Sequence, residues 1–305
     1  MSMMRRSILT VADNGMVSGF FQRSPLARSL VNRFVAGERL ETAIGEVHAL
    51  QQRGITATLD LLGENVESAE ASRAAVETYQ EMLRTLKREG LEPNASVKLT
   101  MLGLDFGAEI ATANMEAILE VARQVGGFVR IDMEGSAYTD VTMQIFADLH
   151  DRYPDEVGIV IQTYLFRAEQ DVRNMIARGA RVRLVKGAYA EPPTVAFQDK
   201  LKIDENYARL TRLLLKEGNF PAIATHDMNL IRSTIEYANR EGIPGTKFEF
   251  QMLYGVRRDQ QQKLVDEGWG MRVYVAYGSE WYPYFTRRIA ERPANAFFVL
   301  RQLRG

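Results

Sequence analysis

The chain has 305 residues, with 38 Lys and Arg against 39 Asp and Glu, a formal net charge of −1 and 46% hydrophobic residues. This is the composition of an ordinary globular protein, with enough chain for one large barrel or two modest domains, and the near-neutral balance argues against nucleic acid as a partner. The absence of cysteine excludes disulfides, iron–sulfur clusters and thiolate metal sites, and the three histidines (His48, His150, His226) are too scattered for a metal centre. No apolar run approaches the ~18 residues that cross a bilayer. The two arginines near the start are followed by nothing long and apolar enough for a secretory signal, so the expected compartment is the cytoplasm.

Residues 1–54 read as a helical segment. Val31, Phe34 and Val35, then Leu40, Ile44, Val47 and Leu50, recur at the spacing of one helix face, and Gly54 stands where a C-terminal cap belongs. Over 55–305 a strand-like run followed by an amphipathic stretch repeats eight times. The strands are expected at 55–62, 95–101, 128–134, 157–165, 181–187, 222–227, 248–253 and 272–277. The helices are expected at 69–88, 108–125, 141–152, 169–177, 206–216, 229–241 and 259–267, with glycines following them. Alternating strands and helices pair in parallel, and eight units in about 250 residues make a (β/α)8 barrel of the TIM type. The alternative arrangement is an open doubly wound sheet.

Side chains alternate between the faces of a strand, so each strand divides into two phases. One phase is apolar (Ala57, Leu59, Leu61; Val97, Leu99; Val129, Ile131; Phe250, Met252; Val273, Val275) and should face the helices. The other carries Thr58, Asp60, Lys98, Arg130, Asp132, Glu134, Gln162, Arg181, Arg183, His226, Glu249, Gln251, Arg272 and Tyr274. A barrel of this kind usually fills its lumen with Val, Ile and Leu; this one fills it with charges, which must be paired. One reading makes Asp60, Arg130, Glu134, Arg181, Glu249 and Arg272 structural salt bridges. The other makes Lys98, Asp132, Gln162, Arg183 and His226, late in their strands and so toward the catalytic face, a polar ligand floor.

The final helix places Tyr284, Arg287, Arg288 and Glu291 at i, i+3, i+4 and i+7, one face. Adjacent arginines beside a tyrosine suit a small carboxylate, since guanidinium binds it in a bidentate manner; a solvated helix with an Arg–Glu pair fits the same pattern. No Rossmann fingerprint and no P-loop is present: the single GxG, Gly268 and Gly270, precedes a strand.

In chain order stand FVAGE at 34–38, DLLGE at 60–64, SVKL at 96–99, IDME at 131–134, QTYL at 162–165, RLVKGAY at 183–189, ATHD at 224–227, FEFQMLYG at 248–255 and WYPYFTRRIAERPAN at 281–295. In these motifs the sequence resembles the proline dehydrogenase family, in particular its monofunctional bacterial members, over nearly the whole chain. It departs from the family pattern at Ala276, where many members have proline, and at Ala190, where some have tryptophan; neither position carries chemistry.

The resemblance implies a distorted (β/α)8 barrel with non-covalent FAD across its C-terminal face and the last helix over the substrate. The reaction it implies is oxidation of L-proline to Δ1-pyrroline-5-carboxylate by hydride transfer to flavin N5. Lys98, Arg287 and Arg288 would hold the proline carboxylate, and Leu253, Tyr274 and Tyr284 would wall the ring. Asp132 would pair with Lys98 and Glu291 with the arginines. Met133, Gln162, Arg183, Val185, Lys186, Gly187, Thr225 and His226 would contact FAD, with Arg183 nearest N5. Asp132 and Arg183 are thus the expected catalytic pair.

The family passes electrons to a quinone, which implies peripheral contact with the inner face of the membrane; Phe20, Phe21, Phe297, Phe298, Leu300 and Leu303 are the apolar candidates, and ordinary packing of the C-terminal ones on the barrel is the alternative. Activity should rise with pH as proline loses its amine proton. Three other readings stay open on the residues alone: a Schiff-base aldolase using Lys98 or Lys186, a flavin barrel like methylenetetrahydrofolate reductase, and a non-catalytic carboxylate-binding barrel.

Overall fold

In the computed structural model eight parallel strands close on one another in sequence order. They are β1 (Thr56–Leu61), β2 (Asn94–Val97), β3 (Phe128–Ile131), β4 (Val157–Gln162), β5 (Arg181–Val185), β6 (Ala222–Ala224), β7 (Glu249–Leu253) and β8 (Gly270–Tyr277). The structure describes residues 31–63 and 66–291, with side chains as far as Thr286. Phe20, Phe21, Phe297, Phe298, Leu300 and Leu303 therefore lie outside the described residues.

The helices are α1 (Leu40–Gln51), α2 (Ala69–Arg88), α3 (Ala108–Val125), α4 (Ser136–His150), α5 (Ala168–Ala177), α6 (Lys200–Glu217), α7 (Met228–Arg240), α8 (Arg258–Asp266) and α9 (Trp281–Glu291). Side-chain caps start several of them. Ser68 accepts from Ala71 N at 3.1 Å ahead of α2, and Asp199 from Leu201 N at 2.8 Å ahead of α6. Each satisfies a backbone donor the helix cannot. The α4 and α6 helices begin five and six residues before the 141 and 206 expected from periodicity. Their first turns lie near the loops, where an apolar face is not required.

The apolar strand phase faces the helices as expected. Leu59, Val97, Ile131, Ile159, Leu184, Ile223, Phe250 and Val273 are all buried in one continuous core with the inner faces of α2, α3 and α6. Each such side chain stabilises the fold by roughly 1.5–3 kcal/mol. The ring is closed by β1 on β8, in register from Thr56↔Arg272 to Leu61↔Tyr277.

The α1 helix packs on β1 and β8 through its buried Ala43, Ile44, Val47 and Leu50. It takes the outer position that a helix following β8 would otherwise fill. This leaves α9 free to cross the mouth. Its Trp281, Tyr284 and Phe285 join Val31, Phe34 and Val35 with Leu62, Val256 and Ala276 in a second core over the strand ends.

Candidate active site

The lumen holds two tiers of charge. In the lower tier Arg272 Nε donates to both oxygens of Glu249, at 3.0 and 3.1 Å. Its Nη2 donates to Glu92 at 3.0 Å and its Nη1 to Ala57 O at 2.8 Å. Burial pushes the Glu249 carboxyl up, but Arg272, Gln251 and Arg130 more than offset this and hold it below the usual range. Arg130 donates to Arg181 O at 2.9 Å. The structural group expected from the sequence is thus present in Arg272, Glu249 and Arg130. Three members differ: Glu134 accepts from the Thr100 hydroxyl, Arg181 lies over the rings of Phe128 and Phe220, and Asp60 pairs with Lys98.

The upper tier lies where the strands end. Arg183, on β5 and 4% exposed, donates from Nη1 to Asp132 Oδ1 at 2.7 Å and from Nε to Gln251 Oε1 at 2.6 Å. The other Asp132 oxygen accepts from Tyr274 OH at 2.7 Å. The Tyr274 hydroxyl is buried beside Asp132 and Asp60, which raises its pKa well above the ordinary value and keeps it a donor. Lys98 Nζ lies 3.1 Å from Asp60 Oδ1 and 4.0 Å from Asp132 Oδ2.

This adds to one expectation and corrects another. Lys98 does pair with Asp132, at 4.0 Å, and more closely with Asp60, at 3.1 Å. Asp60 is also not part of the lower structural set, since it is the fifth residue of β1 and meets Lys98 at the mouth. Gln251 joins the tiers: its Nε2 donates to Glu249 at 2.5 Å while its Oε1 receives Arg183.

A cavity of about 610 Å³ opens above this tier, within the range of small-molecule sites. Lys98, Asp132, Met133, Gln162, Arg183, Val185, Lys186, Gly187, Thr225, His226, Leu253, Tyr274 and Tyr284 all line it. The side chains of Arg287, Arg288 and Glu291 lie outside the described residues; their backbone continues α9 beyond Tyr284. Asp60, Tyr189, Asp227 and Gln251 line the cavity too, without having been singled out as site residues. Asp60 and Gln251 belonged to the polar strand phase, which was the available signal. Asp227 follows the sixth strand, where it caps α7 and lies 3.0 Å from Lys186 Nζ.

Several strands end earlier than the alternation suggests. Lys98 follows β2, Asp132 and Met133 follow β3, and Thr225 and His226 follow β6. These residues sit in the loops that form the catalytic face of such barrels. His226 Nε2 accepts from Leu253 N at 2.9 Å, which ties the sixth loop to the end of β7.

The cavity wall carries unused polar capacity. Arg183 Nη2 and Gln162 Oε1 are buried and make no hydrogen bond among the described residues. Gly187 has φ +115°, and a Cβ there would stand 2.4 Å from the Tyr164 ring, so only glycine lets the backbone run this close. A buried donor, a buried acceptor and a bare stretch of backbone along one wall suit a flat heteroaromatic ligand with polar edges.

The sequence profile of the family described as proline dehydrogenase matches residues 43–301. The chain belongs to the proline dehydrogenase family. It is 40% identical over 299 residues to proline dehydrogenase 1 of Bacillus subtilis subsp. natto, covering 98% of each chain. It is also 40% identical over 301 residues to the proline dehydrogenase of Deinococcus radiodurans, covering 97% of this chain and 96% of that one. A crystal structure of proline utilization A from Bdellovibrio bacteriovorus, inactivated by N-propargylglycine, superposes with a TM-score of 0.82 at 25% identity. That match covers 94% of this chain and 36% of the longer one. The barrel is therefore that of a proline dehydrogenase, an oxidoreductase of proline catabolism, and no described helix is long and apolar enough to cross a membrane.

Proposed function

We propose that this proline dehydrogenase oxidises L-proline to Δ1-pyrroline-5-carboxylate with FAD held in the 610 Å³ cavity. The observation that carries this reading is the buried Arg183, which is fixed by Asp132 and Gln251 yet keeps one donor unused on the cavity wall. When bound, FAD supplies the two-electron acceptor for hydride leaving the proline ring C5 and the route by which electrons pass to a quinone.

Arg183, Gln162, Met133, Val185, Lys186, Gly187, Thr225 and His226 would hold the flavin. Gln162 is oriented by its bond to Met133 O at 3.2 Å, and Lys186 by Asp204 and Asp227. Lys98 would bind the proline carboxylate with Arg287 and Arg288, the arginines being steadied by Glu291. Leu253, Tyr274 and Tyr284 would close around the ring and exclude water. Clamping the carboxylate on one ring carbon fixes which other carbon faces the acceptor, a positioning effect. Tyr274 and Asp132 join the two halves, because one hydroxyl–carboxylate bond connects the substrate wall to Arg183. The peripheral membrane contact and cytoplasmic location implied by a quinone acceptor remain part of the same proposal.

A Schiff-base aldolase is disfavoured because both candidate lysines are engaged as cations, Lys98 by Asp60 and Lys186 by Asp204 and Asp227. The deciding experiment is the visible spectrum of the purified protein before and after anaerobic L-proline. A yellow protein bleached by proline is expected. A colourless one trapped by borohydride, one bleached by reduced nicotinamide and indifferent to proline, or one stabilised by proline without reducing any acceptor would each favour a rival reading. Arg288→Met should raise KM for proline by tenfold or more while flavin content is kept, as loss of one charge-assisted pair implies. An unchanged KM in the flavin-loaded variant would contradict the carboxylate role.

A further inference from the structure

Asp60 is a second carboxylate on the same lysine that would receive the substrate. Its side chain is 1% exposed, and Oδ1 accepts from Lys98 at 3.1 Å. Among the described residues its Oδ2 makes no hydrogen bond, nor do the buried hydroxyls of Thr58 on β1 and Ser96 on β2, the residue in register with Asp60. Every element packed around it has a stake in its charge: Lys98 after β2, Asp132 after β3, Tyr274 and Tyr277 on β8, and Tyr79 on α2. The three tyrosines are protonated, and Lys98, the adjoining cation among the described residues, is already shared with Asp132 at 4.0 Å. Burial raises the Asp60 carboxyl to about 6, with Lys98 opposing the shift and Asp132 adding to it.

A carboxylate ligand landing on Lys98 would join Asp60 and Asp132 around one ammonium. Asp60 is the most buried of the three and has a free oxygen on which to carry a proton. We propose that Asp60 is a further functional residue of the proline site, a proton acceptor that takes up a proton from solvent as the substrate carboxylate settles on Lys98. The inference rests on the proline-site reading above. It gives Asp60 a role in the binding step: the ligand's charge is accommodated by neutralising Asp60, without breaking the Arg183–Asp132–Tyr274 arrangement.

The sign follows from linkage. If the ligand raises the Asp60 pKa, binding consumes protons, and affinity falls as pH rises from about 6 toward the higher value in the complex, by at most about tenfold per pH unit for one proton. The test uses full-length, flavin-loaded protein and tetrahydrofuran-2-carboxylate, a ring carboxylate with no ionisable amine. Calorimetry in two buffers of different ionisation heat counts the protons exchanged between pH 6 and 8.

The wild type should take up a fraction of a proton, with Kd rising several-fold over this interval. Asp60→Asn should show a flat Kd and no uptake, and should bind at pH 8 at least as tightly as wild type; Asp60→Glu should restore the dependence. Wild-type binding without proton uptake, or a slope retained in Asp60→Asn, overturns the inference and leaves the proline site standing. Absence of binding at every pH overturns both. The wild-type proton count decides the matter even where the asparagine variant does not fold.

Discussion

Replacing Arg183 with methionine is expected to lower the rate of proline-dependent flavin bleaching by about 10²–10³-fold, the usual cost of removing one preorganised electrostatic donor from a dry site. Arg183 is 4% exposed and spends two donors on Asp132 and Gln251, which leaves its third unused at the cavity. Its charge cannot be replaced by solvent. Asp132 keeps Tyr274 as a partner in the variant, so the barrel should still close. Stopped-flow reduction by proline measures the effect, with flavin content and thermal midpoint as controls. Arg183→Lys should recover part of the rate, since it returns charge without the fork that holds both partners. A methionine variant reduced at the wild-type rate would remove Arg183 from the chemistry.

The second large effect is on stability. Arg272→Leu leaves Glu249 buried at the foot of the lumen without its main counter-ion, and breaking such a pair costs about 3–5 kcal/mol. Arg272 bonds both oxygens of Glu249 and also reaches Ala57 O and Glu92, contacts that Gln251 and Arg130 beside Glu249 only partly replace. Urea unfolding should show the loss as a lower midpoint with an unchanged slope. The double variant Arg272→Leu with Glu249→Leu should recover at least half of it, because two apolar side chains in place of a buried ion pair are often neutral or better. A single variant within about 1 kcal/mol of wild type would show that the lower tier is not a coupled unit.

The barrel could be read from the sequence because two signals reinforce each other: the period changes between strand and helix, and within each strand the apolar phase separates from the charged one. That separation alone places Arg130, Glu249 and Arg272 in the lumen. The ends of the strands were less legible. The alternation in 95–101, 128–134 and 222–227 continues past the last sheet residue, so Lys98, Asp132 and His226 looked like strand residues although they stand in loops. Sequence periodicity carries no information on where a neighbouring strand stops.

The placement of Asp60 failed for a related reason. Height along one strand is readable, but the level at which two strands meet depends on the stagger of the closed ring. Asp60 is level with Ser96, so Lys98 begins just above it. The second partner of Lys98 was hidden for the same reason: Asp132 pairs with it as expected, and Asp60 stands closer by about an ångström. Gln251 was seen as a polar lumen residue, yet its bridging of two charged tiers depends on both neighbours being at specific heights.

The Arg272–Glu249 pair and the neighbouring Arg130 fill the lower lumen with fixed charge. Below the cavity their bonds tie β8 to β7 and β1, and β3 to the carbonyls of Ile159 and Arg181. On the proposed reading of Lys98, a product that keeps its carboxylate should compete with proline for the same cation.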